Sequence, residues 1–219
     1  MKLTLIGLLL AIPAVSTAQP SAKRSEAGVH LIPFASQSNH IELQVVNTTS
    51  DPLKDVSVEV DEAPGWLLFS ETSAGIGALE PGEGQSATFV FDLDEKAPVA
   101  EAADLTFSIS SAGGILESRT IRMEPEAPTD LTLRGNYPNP FNPTTRIAYA
   151  LPGDGNVEIE IFNSIGQRVV RLLDRPQEAG YQEATWNAAG FPGGLYFYSV
   201  RHTFESNRQV KVGKMVLVK

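Results

Sequence analysis

Short segments in which apolar and polar residues alternate recur along most of the chain. Every second residue is apolar in IELQV (41–45), VSVEV (56–60), FVFDL (89–93) and LTFSI (105–109). Alternation with a period of two buries one face of a strand and leaves the other in water, as in antiparallel sheets. Turn-forming residues separate these segments, at 47–52, 63–65, 81–84 and 112–114. The pattern predicts an all-β chain built of antiparallel β-sandwiches.

A proline-rich stretch, GNYPNPFNPTT at residues 135–145, interrupts this pattern. Pro138, Pro140 and Pro143 each fix their own φ and remove a backbone donor, which excludes a helix or a central strand here. We expect a stiff lead-in in which Tyr137 and Phe141 are aromatic anchors that cover the edge of the domain that follows.

Strand-like segments follow the lead-in, and their alternation assigns faces to several side chains. In NVEIEIFN the apolar residues Val157, Ile159 and Ile161 should point inwards, with Glu158 and Glu160 in water. In GLYFYSV the inward residues should be Tyr196, Tyr198 and Val200. Leu195 and Phe197 would then lie on the outer face, where exposed apolar side chains can form a docking surface.

The motifs YPNPFNPTT, IFNSIGQRV, AGYQEATWNAAGFPGGLYFYSV and KMVLVK occur in this order. Together they resemble the type A C-terminal sorting domain of the type IX secretion system, and they are similar to the Ig-like domain of flagellar hook-capping proteins. The resemblance covers residues 131–219 and implies that the secretion machinery reads the fold and the basic last strand. The positions that match the family's pattern are Asn136, Tyr137, Pro138, Asn139, Pro140, Phe141, Gly194, Tyr196, Lys214, Met215 and Lys219.

The preceding half resembles NEW3-type bacterial Ig-like domains, through NTTSDPLKDVSVEV, APGW and LEPGEGQSATFVF. We expect this N-terminal Ig-like sandwich at residues 28–123, a linker at 124–130, and the sorting-type sandwich at 131–219. Trp66, which follows a turn, is either a core residue or a platform on which a sugar stacks, and burial is the commoner role of such a tryptophan.

The first 18 residues have the features of a secretory signal peptide. Lys2 precedes an apolar run, LTLIGLLLAIPAV, and small residues lead to Ala18. We predict cleavage between Ala18 and Gln19 by the general secretory machinery, and a disordered leader at 19–27. The mature chain should then have no transmembrane segment.

Composition excludes several classes of function. The net charge is −9, with no basic stripe for nucleic acid, and the chain has no cysteine for disulfides or thiolate chemistry. Its three histidines, His30, His40 and His202, lack the spacing of a metal site. Acidic pairs such as Asp92 with Asp94 are typical of solvated strand ends, so we expect no cofactor, metal or catalytic residue.

These features predict an exported, non-enzymatic protein that crosses the periplasm to the cell surface or the medium. Its C-terminal domain would direct passage through the type IX outer-membrane translocon, and its N-terminal sandwich would be the cargo. Two alternatives remain open: a module that binds a surface glycan or protein, and a structural scaffold like the hook-capping protein. An enzyme has the least support, because the sandwich sequences show no convergent catalytic groups.

Overall fold

The computed structural model describes residues 4–11 and 28–219, and within these ranges the chain forms strands, turns and loops but no helix. The prediction of an all-β fold is confirmed. The chain divides into two compact units, Met1–Glu126 and Ala127–Lys219.

Two sheets form the N-terminal unit, with strand orders β1-β3-β7-β5 and β2-β9-β8-β4-β6. The strands are β1 (Thr4–Ala11), β2 (Val29–Ile32), β3 (Asn39–Val46), β4 (Leu53–Glu62), β5 (Leu67–Phe69), β6 (Ser73–Leu79), β7 (Gly84–Leu93), β8 (Ala103–Ser111) and β9 (Gly114–Pro125). The apolar positions of the alternating segments, such as Leu43, Phe89 and Phe107, are buried in one core. The pairing is antiparallel except between β2 and β9, which are parallel.

Trp66 is half-buried and packs against this core. At the end of this unit, β9 continues to Pro125, and Glu126 donates its N–H to the carbonyl of Ile32 at 2.8 Å. The first residues of the segment expected as a linker therefore belong to the N-terminal unit.

The apolar run of the predicted signal peptide contains a strand. Thr4–Ala11 (β1) pairs antiparallel with Asn39–Val46 (β3), from Thr4 opposite Val46 to Ala11 opposite His40. The predicted cleavage site, Ala18 and Gln19, and the predicted leader at 19–27 lie outside the described residues.

The C-terminal unit also consists of two sheets, with strand orders β10-β11-β14 and β13-β12-β15-β16. Its strands are β10 (Thr132–Tyr137), β11 (Thr144–Leu151), β12 (Gly155–Asn163), β13 (Arg168–Gln177), β14 (Gly180–Asn187), β15 (Gly194–Phe204) and β16 (Asn207–Leu217). The predicted inward residues of β12 and β15 are all buried, namely Val157, Ile159, Ile161, Tyr196, Tyr198 and Val200. This part of the face assignment is confirmed.

The expectation that Glu158 and Glu160 lie in water is wrong. Glu160 is buried, and its carboxylate pairs with Arg168 at 2.5 Å. Glu158 pairs with Arg171 at 3.0 Å and also with Arg201. The arginines come from the neighbouring strands β13 and β15, and their long side chains cover the outer face of β12, as amphipathic side chains do.

Candidate functional site

The proline-rich lead-in, residues 135–143, runs along one end of the last strand, β16. The Phe141 N–H donates to the carbonyl of Val216 at 2.9 Å, and the Val218 N–H donates to the carbonyl of Phe141 at 2.9 Å. These two bonds flank a parallel bridge between Phe141 and Leu217. Because β16 is the edge strand of its sheet, the lead-in supplies main-chain partners that the edge would otherwise lack.

Asn139 extends this pairing by one step with its side chain. Its Oδ1 accepts the Val216 N–H at 3.0 Å, and its Nδ2 lies 3.5 Å from the carbonyl oxygen of Lys214. The side-chain amide thus supplies the acceptor and the donor that a peptide group of a paired strand would supply, at a position flanked by two prolines that have no N–H.

The start of the lead-in is fixed by a second, separate set of hydrogen bonds. The Asn136 Nδ2 donates to the carbonyl of Pro138 at 3.2 Å and to Thr145 Oγ1 at 3.0 Å. The Thr145 hydroxyl, which is buried, donates to the same Pro138 carbonyl at 2.9 Å. The side chains of Asn136 and Thr145 therefore satisfy the carbonyl of Pro138, in a turn whose prolines supply no backbone N–H.

Phe141 anchors the lead-in in the core, as predicted. It is buried, and its ring centroid lies 5.5 Å from that of Trp186. Trp186 also meets Tyr196 edge-on at 5.2 Å and Phe191 at 5.5 Å. Tilted and edge-on pairs at these distances are the favoured aromatic geometries, so the four rings form one cluster at this end of the sandwich.

The prediction that Tyr137 is a second anchor is wrong, because its side chain is 74% exposed. Tyr137 is the last residue of β10 and lies opposite Arg146 of β11, whose side chain is exposed as well. Successive residues of a strand point to opposite faces, and this position belongs to the solvent face.

Two glycines shape β15 and β16 where these strands pair. Gly194 has a φ of 152°, and it faces Leu217 at the start of β15. Gly213 lies beneath the ring of Tyr198, and a Cβ at this position would be 2.1 Å from the Tyr198 Cζ. The sequence analysis missed Gly213, although an isolated glycine inside a strand pattern indicates a close approach of this kind.

The predicted sorting positions thus divide into a joined group and a separate one. Asn139, Phe141, Lys214 and Met215 meet at the lead-in and β16, and Tyr196 pairs with Met215 from β15. Pro138 and Pro140 are exposed within the lead-in, and Lys219 is exposed beyond the end of β16.

Burial shifts the pKa of three groups in this unit, Tyr149, Tyr198 and His202, in the direction that favours the neutral form. Burial raises the pKa of Tyr149 to about 12, partly opposed by its hydrogen bond to Gln177 and by the charge of Arg175. Burial also raises the pKa of Tyr198 and lowers that of His202, and the second shift is partly opposed by a hydrogen bond with the backbone of Gly153.

Within residues 4–11 and 28–219, no group of three or more histidine, aspartate or glutamate side chains is placed to hold a metal ion. The same residues contain no helix that could cross a membrane.

Two family models match separate parts of the chain. Residues 136–217 match the secretion system C-terminal sorting domain. Residues 34–111 match the NPCBM-associated NEW3 domain of alpha-galactosidase. The search of curated proteins found no match.

Solved structures resemble the chain only at low similarity. Dimeric latent PorU from Porphyromonas gingivalis is 14% identical with a TM-score of 0.36, and the alignment covers 99% of this chain and 20% of PorU. The chain therefore spans about a fifth of the length of that protein. A P. gingivalis W83 protein of unknown function is 10% identical with a TM-score of 0.36, covering 98% of this chain and 97% of the other. The CupB2 chaperone of Pseudomonas aeruginosa is 11% identical with a TM-score of 0.30, covering 86% and 96%.

TM-scores of this size support no argument about function. The family matches confirm the resemblances to the sorting domain and to NEW3-type domains. The chain carries a type IX secretion system C-terminal sorting domain in residues 136–217, preceded by a NEW3-type Ig-like domain in residues 34–111.

Proposed function

We propose that this chain is a non-enzymatic protein exported in two steps, with its N-terminal sandwich as the cargo. The general secretory machinery recognises residues 1–18 and releases the chain into the periplasm after cleavage between Ala18 and Gln19. The C-terminal domain then directs passage through the type IX translocon, to the cell surface or the medium. The observation that carries this proposal is the match of residues 136–217 to the sorting domain.

The geometry of the lead-in supports this role for the C-terminal domain. Asn139 and Phe141 hold the far end of β16 in one position, and Met215 and Leu217 are buried beneath it. Lys214, Val216 and Val218 alternate with these residues and point outwards. A receptor that reads this end of the strand meets a preformed surface, which reduces the entropy lost on binding.

The test compares a host that has a type IX system with the same host lacking its outer-membrane translocon. The full-length chain is expressed in both, and intact-mass spectrometry is applied to the periplasm, the cell surface and the medium. The chain should appear outside only in the complete host, and should collect in the periplasm of the other, in both cases starting at Gln19. Equal distribution in the two hosts would overturn the type IX route and would favour the structural scaffold.

The same masses report whether the sorting domain is removed after export. We expect the external form to end within residues 124–130, a segment with two prolines and three acidic residues that contains the boundary of the two units, after Glu126. A full-length external form would be consistent with the sorting route but would contradict removal of the sorting domain.

The match to a NEW3 domain of alpha-galactosidase favours one second candidate, a glycan-binding role for the N-terminal sandwich. The packing of Trp66 weighs against the stacking platform considered from the sequence, since the residue is partly buried against the core. Isothermal titration of the external form with oligosaccharides tests this candidate, and equal heats for the wild type and for Trp66→Ala would remove Trp66 from such a site.

A further inference from the structure

The outer face of the β15–β16 hairpin carries a row of exposed apolar side chains. Val212 is 64% exposed, Val210 47%, Leu195 41% and Val216 37%. The strand register places Leu195 opposite Val216, so the row continues across both strands. We refer to these four residues as the outer stripe. Contiguous apolar side chains on a protein surface are typical of an interaction site.

The hairpin is basic although the chain as a whole is acidic. Residues 194–219 include five basic residues and one acidic residue, a formal charge of +4, whereas the whole chain has −9. The basic residues are Arg201, Arg208, Lys211, Lys214 and Lys219, and the acidic one is Glu205. Alternate residues of a strand point to the same face, so Lys214 and Arg208 lie on the outer face together with Val210, Val212 and Val216. Lys214 lies between Val212 and Val216, and Arg208 lies at the other end of the row.

The edge of β16 is already occupied by the chain itself. The lead-in pairs with its far end, through Asn139 and Phe141. Near its beginning, the side chain of Gln209 accepts a hydrogen bond from the Leu131 N–H and donates one to Asp130. These contacts cover the two ends of the β16 edge, whereas Val210, Val212 and Lys214 are exposed on its outer face.

We propose that the outer stripe is the surface by which the sorting domain contacts the outer-membrane translocon, and that the contacted surface is apolar with acidic side chains at its rim. The apolar side chains would form the centre of the contact, and Lys214 and Arg208 would select the acidic partner, as complementary charges do at interfaces. This inference rests on the proposed type IX route and adds to it the site and the chemistry of the partner.

An anionic bilayer is the other surface that attracts basic and apolar side chains, and the neighbouring residues argue against it. The same outer face continues onto β12 and β13, where Glu158, Glu160 and Asp174 are paired with Arg168, Arg171 and Arg201. This part of the face therefore adds no net positive charge that would attract lipid phosphates. The stripe also consists of short aliphatic residues, whereas tryptophan and tyrosine are typical of the membrane interface.

The test uses Val212→Glu combined with Lys214→Glu, which places one negative charge in the stripe and a second beside it on the same face. Both residues are exposed, so the fold should persist, and the urea midpoint of the purified chain checks this. The control combines Ile165→Glu with Lys54→Glu, since Ile165 is an exposed residue of the β12–β13 turn and Lys54 is exposed in the N-terminal unit. The two variants carry the same change of charge.

Two readouts are compared in the host that has the complete system. One is the secreted fraction, and the other is the affinity of the periplasmic form for the detergent-solubilised translocon at low and high salt. The stripe variant should lose about tenfold in affinity, equivalent to about 1.4 kcal/mol, and should collect in the periplasm. Wild-type affinity should fall as salt rises, and the control variant should behave as the wild type.

Each other outcome overturns the inference in a recognisable way. Normal secretion and affinity of the stripe variant would reject the stripe while leaving the type IX route intact. A wild type that needs no translocon would reject the route itself. Binding of the wild type to vesicles of phosphatidylglycerol and phosphatidylcholine, lost in the stripe variant while translocon affinity is unchanged, would assign the stripe to the bilayer.

Discussion

The two sandwiches close an edge strand in different ways. In the N-terminal unit, β1 pairs with the edge of β3 along its length. Among the described residues, this pairing is between main chains. In the C-terminal unit, the end of β16 is closed by the lead-in, through the Asn139 amide and the buried Phe141. Main-chain pairing tolerates many sequences, whereas the lead-in requires particular residues at fixed positions.

The largest effect is expected from Phe141→Ala, which removes the anchor of the lead-in. Truncating a buried phenylalanine costs about 3–5 kcal/mol in free energy of unfolding, and here it also removes one of the three rings that contact Trp186. Each unit contains one tryptophan, Trp66 or Trp186, so urea unfolding followed by fluorescence in a Trp66→Phe background reports the C-terminal unit alone.

Phe107→Ala is the matched control for this prediction, because Phe107 is equally buried but belongs to the N-terminal core. It should leave the Trp186 transition in place. A Trp186 midpoint that responds to both substitutions alike would mean that the units unfold together, and the comparison between their edges would lose its basis.

Gly213→Ala should have the next largest effect, since the added Cβ would meet the ring of Tyr198 at 2.1 Å. Over-packing of this kind costs about 1–3 kcal/mol. Gly190→Ala is the control in the same unit, because a Cβ there has nothing within 4 Å. An unchanged urea midpoint in Gly213→Ala would show that Tyr198 can leave β16 freely, which would contradict a rigid C-terminal strand.

Local pattern was sufficient to predict the strands with clear alternation and their buried faces. Ile159 and Tyr198 are inward because alternation along one strand decides their face, and the prolines of the lead-in exclude a helix wherever the segment lies. Glu160 was placed wrongly because its burial depends on Arg168 and Arg171, which reach it from another strand. Pairing between strands is not visible in the period of either one.

The candidate site was predicted in its parts but not in its assembly. The sequence pointed to Asn139 and Phe141, and to Lys214 and Met215, as members of two motifs about 75 residues apart. That the first motif caps the second is a consequence of the sandwich topology, which brings the start of the domain to its last strand. The exposure of Tyr137 and the packing of Tyr198 against Gly213 also depend on contacts between strands, which the sequence of one strand does not show.

Asn139→Ala should have the smallest effect on stability, and it gives the most local test of how the β16 edge is closed. It removes one side-chain acceptor and leaves the Phe141 bonds in place, so the cost should be about 1 kcal/mol, as for a typical hydrogen bond. Hydrogen exchange should quicken at the Val216 amide, which donates to Asn139, and remain slow at Val218, which donates to the Phe141 carbonyl. Asn142→Ala, an exposed change in the same lead-in, is the control.

The same exchange measurement on a chain that begins at Gln19 examines the other edge. Without β1, the amides of β3 that face it lose their partners and should exchange faster, while Val216 is unaffected. If Asn139→Ala leaves Val216 protected, main-chain pairing by Phe141 alone closes the β16 edge, and the two sandwiches protect their edges by the same means. If Val216 is released, the asparagine side chain is itself part of the strand pairing, and its place in the motif follows from that bond.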